Sequence, residues 1–395
     1  MANVGEISPL LANIYLNELD RFAEDTLIPA YTRGERRKAN REYRILSQHL
    51  TAARKREDFD EVKRLRQERR KLMAVDPIDP DYRRLRYIRY ADDFLLGFVG
   101  PKKEAEEIRQ KLGEFLEQRL KLALSKEKTL ITHAADEKAK FLGYEITVSR
   151  CGHLISENGK RATNGSIALL MPRQVVQTYR DRFSKGDKSI HRAELLADTD
   201  HTIIQRYQSV LRGLYNYYCM AINVSKRMDG IKWILQTSLT KTLASKFRVR
   251  VSTIYKRYQT TLPDETGEGT RKVLRAVIER PDGEPLVAVF GGFPFKRVPD
   301  GMASAEFNFE KAWSLPATRR SEVVQRLLAG KCELCGAEGP VQMHHIRQLA
   351  DIDRAGRRPK AEWQKIMSAR RRKTLAVCKE CHGAIHAGKY DGPRL

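Results

Sequence analysis

Two Cys-x-x-Cys pairs near the C-terminus constrain the fold of this chain more than any other feature of the sequence. Cys332 and Cys335 lie in CELC, and Cys378 and Cys381 lie in CKEC. Pairs of this spacing are typical of a tetrahedral four-cysteine zinc site, which is structural because four thiolates close the coordination sphere. The N-terminal residues carry no secretion signal, so we expect bound Zn²⁺ rather than disulfides.

Histidines accompany these cysteines in the last 64 residues, at positions 344, 345, 382 and 386. His382 and His386 are four residues apart on a predicted short helix, so both rings face the same side. One interpretation is a catalytic metal site. The alternative is a second structural metal, or a zinc ribbon that binds DNA without catalysis.

A second feature is an acidic pair, Asp92 and Asp93, inside the apolar run YIRYADDFLLGFVG. The pattern predicts two short strands around a tight turn at residues 91–93. Carboxylates on such a turn can bind hard divalent cations such as Mg²⁺, which assist phosphoryl transfer. Aspartate is also common in turns without any metal role, and the apolar flanks favour the functional interpretation.

The chain carries 74 Lys and Arg residues against 50 Asp and Glu residues, a net charge of +24. An excess of this size favours a polyanionic partner, and the interleaved aromatic residues favour nucleic acid over a membrane. The alternative is a surface that is charged only for solubility. No run of about 18 apolar residues occurs, so we expect no membrane span.

Two further regions have distinct patterns. Residues 33–74 are mostly charged and predict either a solvated helical pair or a basic insertion that follows a nucleic-acid backbone. Residues 172–262 predict helices with Tyr207, Tyr215 and Tyr218 at helical spacing. These tyrosines and the neighbouring Tyr217 suit either a bundle core or contacts with structured RNA, and we expect most of them in the core.

Several segments together resemble one family, the group II intron-encoded reverse transcriptase/maturases. RYIRYADDFLLG is similar to the YxDD hairpin of that family, and ISPLLANIYLNELDRF, LALSKEKTLITH and AKFLGYEI are similar to neighbouring blocks. YQSVLRGLYNYYCMAIN, followed by SLTKTLASKFRVRVSTIYKRY, resembles the maturase (X) domain. The C-terminal cysteines and histidines resemble the HNH endonuclease domain of the family.

The resemblance implies an α+β multidomain fold. We expect a partial reverse-transcriptase palm over residues 1–150 with a basic insertion at 33–84, and an α-helical thumb/maturase (X) domain over 165–265. A linker region with short strands is expected over 266–320, and a small ββα-metal HNH domain with the four-cysteine zinc site over 321–395. Family members carry a longer N-terminal part with another catalytic aspartate, so MANVGEISP at the start predicts an N-terminally truncated chain with doubtful polymerase activity.

The resemblance also implies residue roles. Asp92 would be a catalytic metal ligand and Asp93 a second acidic contributor. His345 would be the general base of the endonuclease, and His344, His382 and His386 would hold a catalytic divalent ion, Mg²⁺ or similar. The family's middle asparagine is replaced near Lys373 or Thr374, which leaves its orienting role unassigned. Expected nucleic-acid contacts are Lys128, Arg206, Arg212, Lys226, Arg227, Arg347, Arg370 and Arg371.

The implied function combines an RNA-directed DNA polymerase-type palm, intron RNA binding for splicing, and an HNH DNA endonuclease for intron mobility. We expect the endonuclease chemistry to survive best. The alternatives are an HNH endonuclease alone and a non-catalytic RNA-binding maturase remnant. Expected partners are group II intron RNA and target DNA, with a dimer or a separately encoded N-terminal piece in addition. The expected location is the bacterial cytoplasm at the nucleoid, or an organelle.

Overall fold

The computed structural model describes residues 4–76, 78–125, 127–149, 165–263, 269–280, 283–299, 322–346 and 361–390. The chain divides into two compact units, residues 1–169 and 170–395. Both units contain helices and strands, which confirms the α+β class. Within the described ranges, no helix has the length and apolar character that crossing a membrane requires.

The first unit begins with a long helical segment. Helix α1 (Val4–Arg21) continues through a π-helical stretch (Phe22–Leu27) into the short helix α2 (Ile28–Ala30). Strands β1 (Arg84–Tyr90) and β2 (Asp93–Val99) form an antiparallel hairpin, followed by helix α5 (Lys102–Arg119). The core of this unit joins all of these elements through Leu19, Leu27, Leu85, Ile108, Leu112, Leu116 and Leu120.

Helices α3 (Arg41–Lys55) and α4 (Phe59–Lys71) form the charged insertion. Asn40 caps α3 and Asp58 caps α4, each by accepting backbone N–H groups of the first turn. The two helices pack on a small core of their own, built on Leu50, Ala53 and Leu65. The predicted helical pair is confirmed, and its contact with nucleic acid stays a prediction.

A second small sheet of this unit follows α5. Strands β3 (Ala139–Phe141) and β4 (Tyr144–Val148) form a hairpin, and β5 (Ile167–Leu170) pairs with β4. Leu142 and Gly143 both have positive φ, 46° and 71°. Two-residue hairpin loops of this kind match the right-handed twist of the strands, so glycine is favoured at the turn. The block AKFLGYEI, which resembles the family, therefore forms this hairpin.

The second unit contains the predicted helical region. Its elements are α6 (Arg173–Phe183), the short hairpin β6 (Ser184–Lys185) and β7 (Lys188–Ser189), α7 (Asp200–Tyr218), α8 (Val224–Phe247) and α9 (Val251–Tyr258). Tyr207, Tyr215 and Tyr218 are buried in the packing of α7, whereas Tyr217 is exposed. The expectation that most of these tyrosines are core residues is confirmed.

A three-stranded sheet extends from the end of the predicted helical region into the region predicted as a linker with short strands. Residues 259–262, predicted as helical, form part of its first strand. Its order is β10 (Gly283–Phe290), β9 (Thr270–Arg280) and β8 (Gln259–Pro263), all antiparallel. Strand β9 has 11 residues, and Leu274, Ala276 and Phe290 are buried. The sequence GEPLVAVFGGFPFKRV forms one strand, β10, because Gly291 and Gly292 have positive φ and residues 291–299 are irregular. The sheet packs on α7, so this region is part of the unit's core.

The C-terminal part of the second unit is small. It comprises α10 (Glu322–Leu328), β11 (Gln342–His345), α11 (Glu362–Ala369), β12 (Thr374–Val377) and α12 (Lys379–His386). Strands β11 and β12 are antiparallel, with His344 opposite Leu375 and His345 opposite Thr374. Leu375 and Val377 are fully buried with Met367 and Ile385, and this compact core holds the hairpin against α12.

Polar contacts join this C-terminal part to the start of α7. Buried Asp200 accepts hydrogen bonds from Arg371 Nη1 and from the Tyr258 hydroxyl, both at 2.7 Å. Glu322 accepts the backbone N–H of Thr199 at 3.1 Å. Because removing one partner of a buried charged pair leaves the other uncompensated, we infer that these contacts hold the two parts together firmly.

A further carboxylate beside this junction is poorly compensated. Asp198 is fully buried, neither carboxylate oxygen has a hydrogen-bond partner within the described part of the chain, and Arg206 Nε lies 3.8 Å away. Burial raises the pKa of Asp198 to about 6, from its ordinary 3.8, despite Arg206. Between these values the folded state binds a proton that the unfolded chain has released, so the free energy of unfolding falls as the pH rises from about 4 to about 6.

We therefore predict that Asp198→Asn stabilises the second unit at pH 7, by on the order of 2 kcal/mol, because the amide carries no charge to desolvate. The melting temperatures of the variant and the wild type should converge below pH 4. A constant difference across the pH range, or a less stable variant at pH 7, would contradict the role of burial.

Candidate metal centre

The four cysteines converge as the spacing predicts. Their Sγ atoms all lie within 4.8 Å of one another, and Cys335 and Cys378 are 3.8 Å apart. Cys378 caps helix α12 and Cys381 lies in its first turn. Such a cluster of four thiols fits a tetrahedral metal site, and its exclusively sulfur ligands suit a structural ion. Although burial opposes ionisation, backbone N–H groups of Cys335 and Cys378 lower the pKa of Cys332 to about 7, which favours the thiolate that metals bind.

Glu333, inside the first cysteine pair, fixes this loop to its surroundings. Its carboxylate accepts a bidentate pair of hydrogen bonds from Arg326, at 3.2 and 2.6 Å, and one from Arg372 at 2.9 Å. It also accepts the backbone N–H of Ala376 at 2.7 Å, while the Glu333 N–H donates to the Ala376 carbonyl at 2.8 Å. The first pair is thus joined to strand β12, which leads directly into the second pair.

Three histidines form a second cluster, and two of them lie on α12. His344 comes from β11, and His382 and His386 come from consecutive turns of α12. The Nε2 atoms of His382 and His386 are 3.1 Å apart, and each imidazole centroid lies 5.2–5.4 Å from that of His344. One ligand atom from each of the three residues lies within 4.8 Å of the other two.

His344 gives the strongest indication that this cluster fits a metal. Its ring is buried, and neither ring nitrogen has a hydrogen-bond partner among the residues that the structure describes. Orphaned buried nitrogens are costly unless something binds them. Burial, together with the neighbouring His382 and His386, lowers the pKa of His344 to about 4, so the imidazole is neutral and able to coordinate an ion at neutral pH. Gln342 Oε1 lies 2.8 Å from His382 Nδ1 and orients that ring.

His345 follows His344 on β11 and is exposed. Since successive side chains of a strand point to opposite faces, His344 faces α12 while His345 faces solvent. The cross-strand neighbour of His345 is Thr374, whose hydroxyl and carbonyl both accept hydrogen bonds from Arg326. Of the two candidates for the middle position of the HNH motif, Thr374 is therefore the one opposite His345, and its hydroxyl is already engaged.

Asp92 and Asp93 occupy the turn of the β1–β2 hairpin, as predicted. Ala91 has φ of 53°, and Tyr90 pairs with Asp93 across the turn. Both aspartates are exposed, which leaves their carboxylates accessible to ions. Their catalytic role stays a prediction.

Arg89 fixes this turn by hydrogen bonds to the turn itself and to helix α1. It binds Asp20 of α1 through two hydrogen bonds of 2.8 and 2.6 Å, and it donates to the Asn13 side chain and to the Ala91 carbonyl, the latter at 2.6 Å. Tyr87 also donates to Asp20, at 2.9 Å. Hydrogen bonds from Arg89 hold the pKa of Asp20 below its usual range.

The predicted nucleic-acid contacts lie in different settings. Lys128 and Lys226 are exposed, Arg227 is half-buried, and Arg212 covers the Phe293 ring at 3.9 Å from its centroid. Arg206 lies near Asp198, Arg370 lies 3.5 Å from Glu333, and Arg371 pairs with Asp200. Arg347 lies outside the described residues. The pairings with Asp198, Glu333 and Asp200 give Arg206, Arg370 and Arg371 structural roles. The contacts of all the predicted residues with nucleic acid stay predictions.

Sequence reasoning missed Glu333, Asp200, Asp20 and Arg89. An acidic residue between two metal-binding cysteines was a usable signal for Glu333. The others pair with residues at least 58 positions away, and no local pattern indicates such pairs.

Three family models match the chain, in the order that the sequence predicts. Residues 65–146 match reverse transcriptase (RNA-dependent DNA polymerase), residues 167–276 match type II intron maturase, and residues 332–382 match the AI2M/AI1M-like HNH endonuclease.

Two of three similar curated proteins match nearly all of the chain. The group II intron-encoded protein LtrA of Lactococcus lactis subsp. cremoris is 32% identical over 98% of this chain. The putative COX1/OXI3 intron 1 protein of Saccharomyces cerevisiae is 28% identical over 98%, and nuclear intron maturase 1, mitochondrial, of Arabidopsis thaliana is 24% identical over 62%. The chain spans 64%, 47% and 34% of the lengths of these relatives, respectively.

The two clusters should respond differently to substitution. We predict that Cys335→Ser loses the cysteine-bound metal and unfolds the elements from α10 to α12, since binding of a structural zinc ion contributes on the order of 10 kcal/mol to such small folds. His386→Ala, the control, should keep that metal and the fold while losing the second ion. Metal content by atomic emission and the dispersion of amide resonances measure both effects. Full metal retention in Cys335→Ser would contradict the assignment.

We also predict that Arg89→Met loosens the aspartate turn. The substitution leaves Asp20 without its bidentate partner and should cost about 2 kcal/mol, measured as faster hydrogen exchange in β1 and β2. Arg86→Met, at an exposed position of the same strand, is the matched control. Equal exchange rates in the two variants would refute a positioning role for Arg89.

Proposed function

The chain belongs to the group II intron-encoded proteins, and from this premise we propose that it is a metal-dependent DNA endonuclease that also binds intron RNA through its maturase segment. The observation that carries the proposal is the His344, His382 and His386 cluster with exposed His345 beside it. The match of residues 332–382 to an HNH endonuclease supports it.

In the proposed reaction, His345 accepts the proton of the attacking water. The water oxygen bonds to phosphorus while the bond from phosphorus to the leaving oxygen breaks. A divalent ion such as Mg²⁺, held by the three-histidine cluster, would supply charge stabilisation at the scissile phosphate. Thr374 lies opposite His345 on the neighbouring strand, and a hydrogen bond from Arg326 fixes Thr374. The backbone of His345 is thereby held in position.

The four cysteines have a structural role in this proposal, with Zn²⁺ as the expected ion. They fix α12, which carries two of the three histidines, and Glu333 fixes the first cysteine pair to β12. Arg370 and Lys379 supply positive charge for DNA phosphates in the same part of the chain, so binding should weaken as salt increases.

A polymerase-type palm is the second candidate, because the hairpin presents Asp92 and Asp93 on a rigid turn. The match of residues 65–146 to reverse transcriptase supports it. Asp20, the carboxylate tied to this hairpin, is held by Arg89 and Tyr87, so a further metal ligand would have to come from elsewhere. A primer-extension assay with Mg²⁺ tests this candidate. Robust extension by this chain alone would contradict the inference that a further metal ligand has to come from elsewhere.

We predict that His345→Ala lowers the rate at which supercoiled DNA is nicked by about 100-fold or more, because a general base typically contributes that much to the rate. Metal content should not change, because His345 belongs to neither cluster. Intron RNA binding should persist in the Asp92→Ala, His345→Ala double variant. Retained nicking in His345→Ala would refute the assignment and favour a non-catalytic RNA-binding remnant.

A further inference from the structure

A cavity of about 490 Å³ lies in the second unit, away from both metal clusters. Helix α8 contributes Asp229 and Lys232, strand β9 contributes Arg271, and the irregular segment 293–297 closes the remaining side. The volume is within the range of about 300–1,000 Å³ that is usual for small-ligand sites.

The irregular wall of this cavity is fixed by hydrogen bonds to α7 and the loop that follows it. Gln208 binds both the N–H and the carbonyl of Gly291, at 2.9 and 3.3 Å. Tyr215 donates to the Lys296 carbonyl at 2.8 Å, and Arg297 Nε donates to the Met220 carbonyl at 3.0 Å. Because these hydrogen bonds hold the wall before any ligand arrives, little conformational entropy is lost on binding.

The lining is strongly cationic. Lys232, Arg271, Lys296 and Arg297 line the cavity together with a single carboxylate, Asp229. Burial and the charge of Arg271 lower the pKa of Lys232, which means that the protonated form of this lysine is disfavoured at this position. A phosphate group would relieve this repulsion and can accept several hydrogen bonds from lysine and arginine.

An exposed tryptophan lies on the same helix as the lining residues Asp229 and Lys232. Trp233 follows Lys232 on α8 and lies four residues after Asp229, so it neighbours that wall on the helix surface. Its side chain is 65% exposed, which is unusual for a residue that normally buries most of its surface. Exposed aromatic rings beside a basic groove are typical platforms for stacking of unpaired bases.

We propose that this cavity binds one nucleotide of an unpaired strand, with its phosphate against Lys232, Arg271, Lys296 and Arg297 and its base stacked on Trp233. The proposal rests on the nucleic-acid binding proposed above and specifies where and in what form the strand is recognised. A duplex is disfavoured as ligand, because its bases are already stacked and cannot reach the ring of Trp233.

The test uses the full chain and a fluorescein-labelled oligonucleotide of about eight uridines, with the deoxyuridine strand and a duplex of equal length as further arms. We expect either single strand to quench the fluorescence of Trp233 and to bind at least about tenfold more tightly than the duplex. Lys232→Gln/Arg271→Gln should weaken binding about tenfold and reduce the salt dependence by at most about one phosphate contact. Trp233→Phe should bind but lose the quenching, and Trp233→Ala should weaken binding several-fold.

Lys185→Gln/Lys188→Gln, on the exposed β6–β7 hairpin, removes the same charge and is the matched control. Equal losses in the two double variants, equal binding of the duplex, or quenching that survives Trp233→Phe would overturn the proposal. Nicking of supercoiled DNA, assayed in parallel, separates the two claims. Nicking without pocket-dependent strand binding refutes only the nucleotide site, whereas strand binding without nicking refutes only the endonuclease.

Discussion

Helix α12 is the constraint on which the C-terminal part of the protein depends, because it contributes to both ligand clusters at once. Cys378 caps the helix and Cys381 lies in its first turn, while His382 and His386 lie on another face. Any movement of this helix relative to β11 would separate His344 from the other two histidines. The cysteine cluster therefore does more than stabilise a small domain: it sets the geometry of the histidine cluster that would bind the catalytic ion.

Charged pairs extend this order beyond the metal ligands. Glu333 connects the first cysteine pair to β12 and to Arg326 and Arg372, and Asp200 connects Arg371 to the start of α7. The C-terminal part is thus anchored to helix α7 within one compact unit. The carboxylates of Glu333 and Asp200 are each hydrogen-bonded by more than one partner, and polar networks of this kind favour one arrangement over alternatives. Asp198, buried close by, has no hydrogen-bond partner for its carboxylate within the described part of the chain.

Local patterns account for what the sequence could predict. Each Cys-x-x-Cys pair and the turn at Asp92 and Asp93 depend on residues close together in the chain, and both features have the predicted form. Strands β9 and β10 were expected as a linker with short strands and β8 as the end of the helical region. The sequence did not reveal the sheet because its packing against α7 depends on residues some 80 positions apart, such as Gln208 and Gly291. Sequence could likewise propose Arg371 for DNA binding but could not reveal Asp200, 171 residues away, as its partner.

X-ray absorption at the zinc edge, on the chain loaded with one equivalent of zinc, tests the two-cluster arrangement most directly. If the cysteine cluster is the structural site, the first ion has four sulfur neighbours at about 2.3 Å and no nitrogen neighbours. A mixed shell of sulfur and histidine nitrogen would show that the clusters share one ion, and the separation of structural and catalytic roles along α12 would then be wrong.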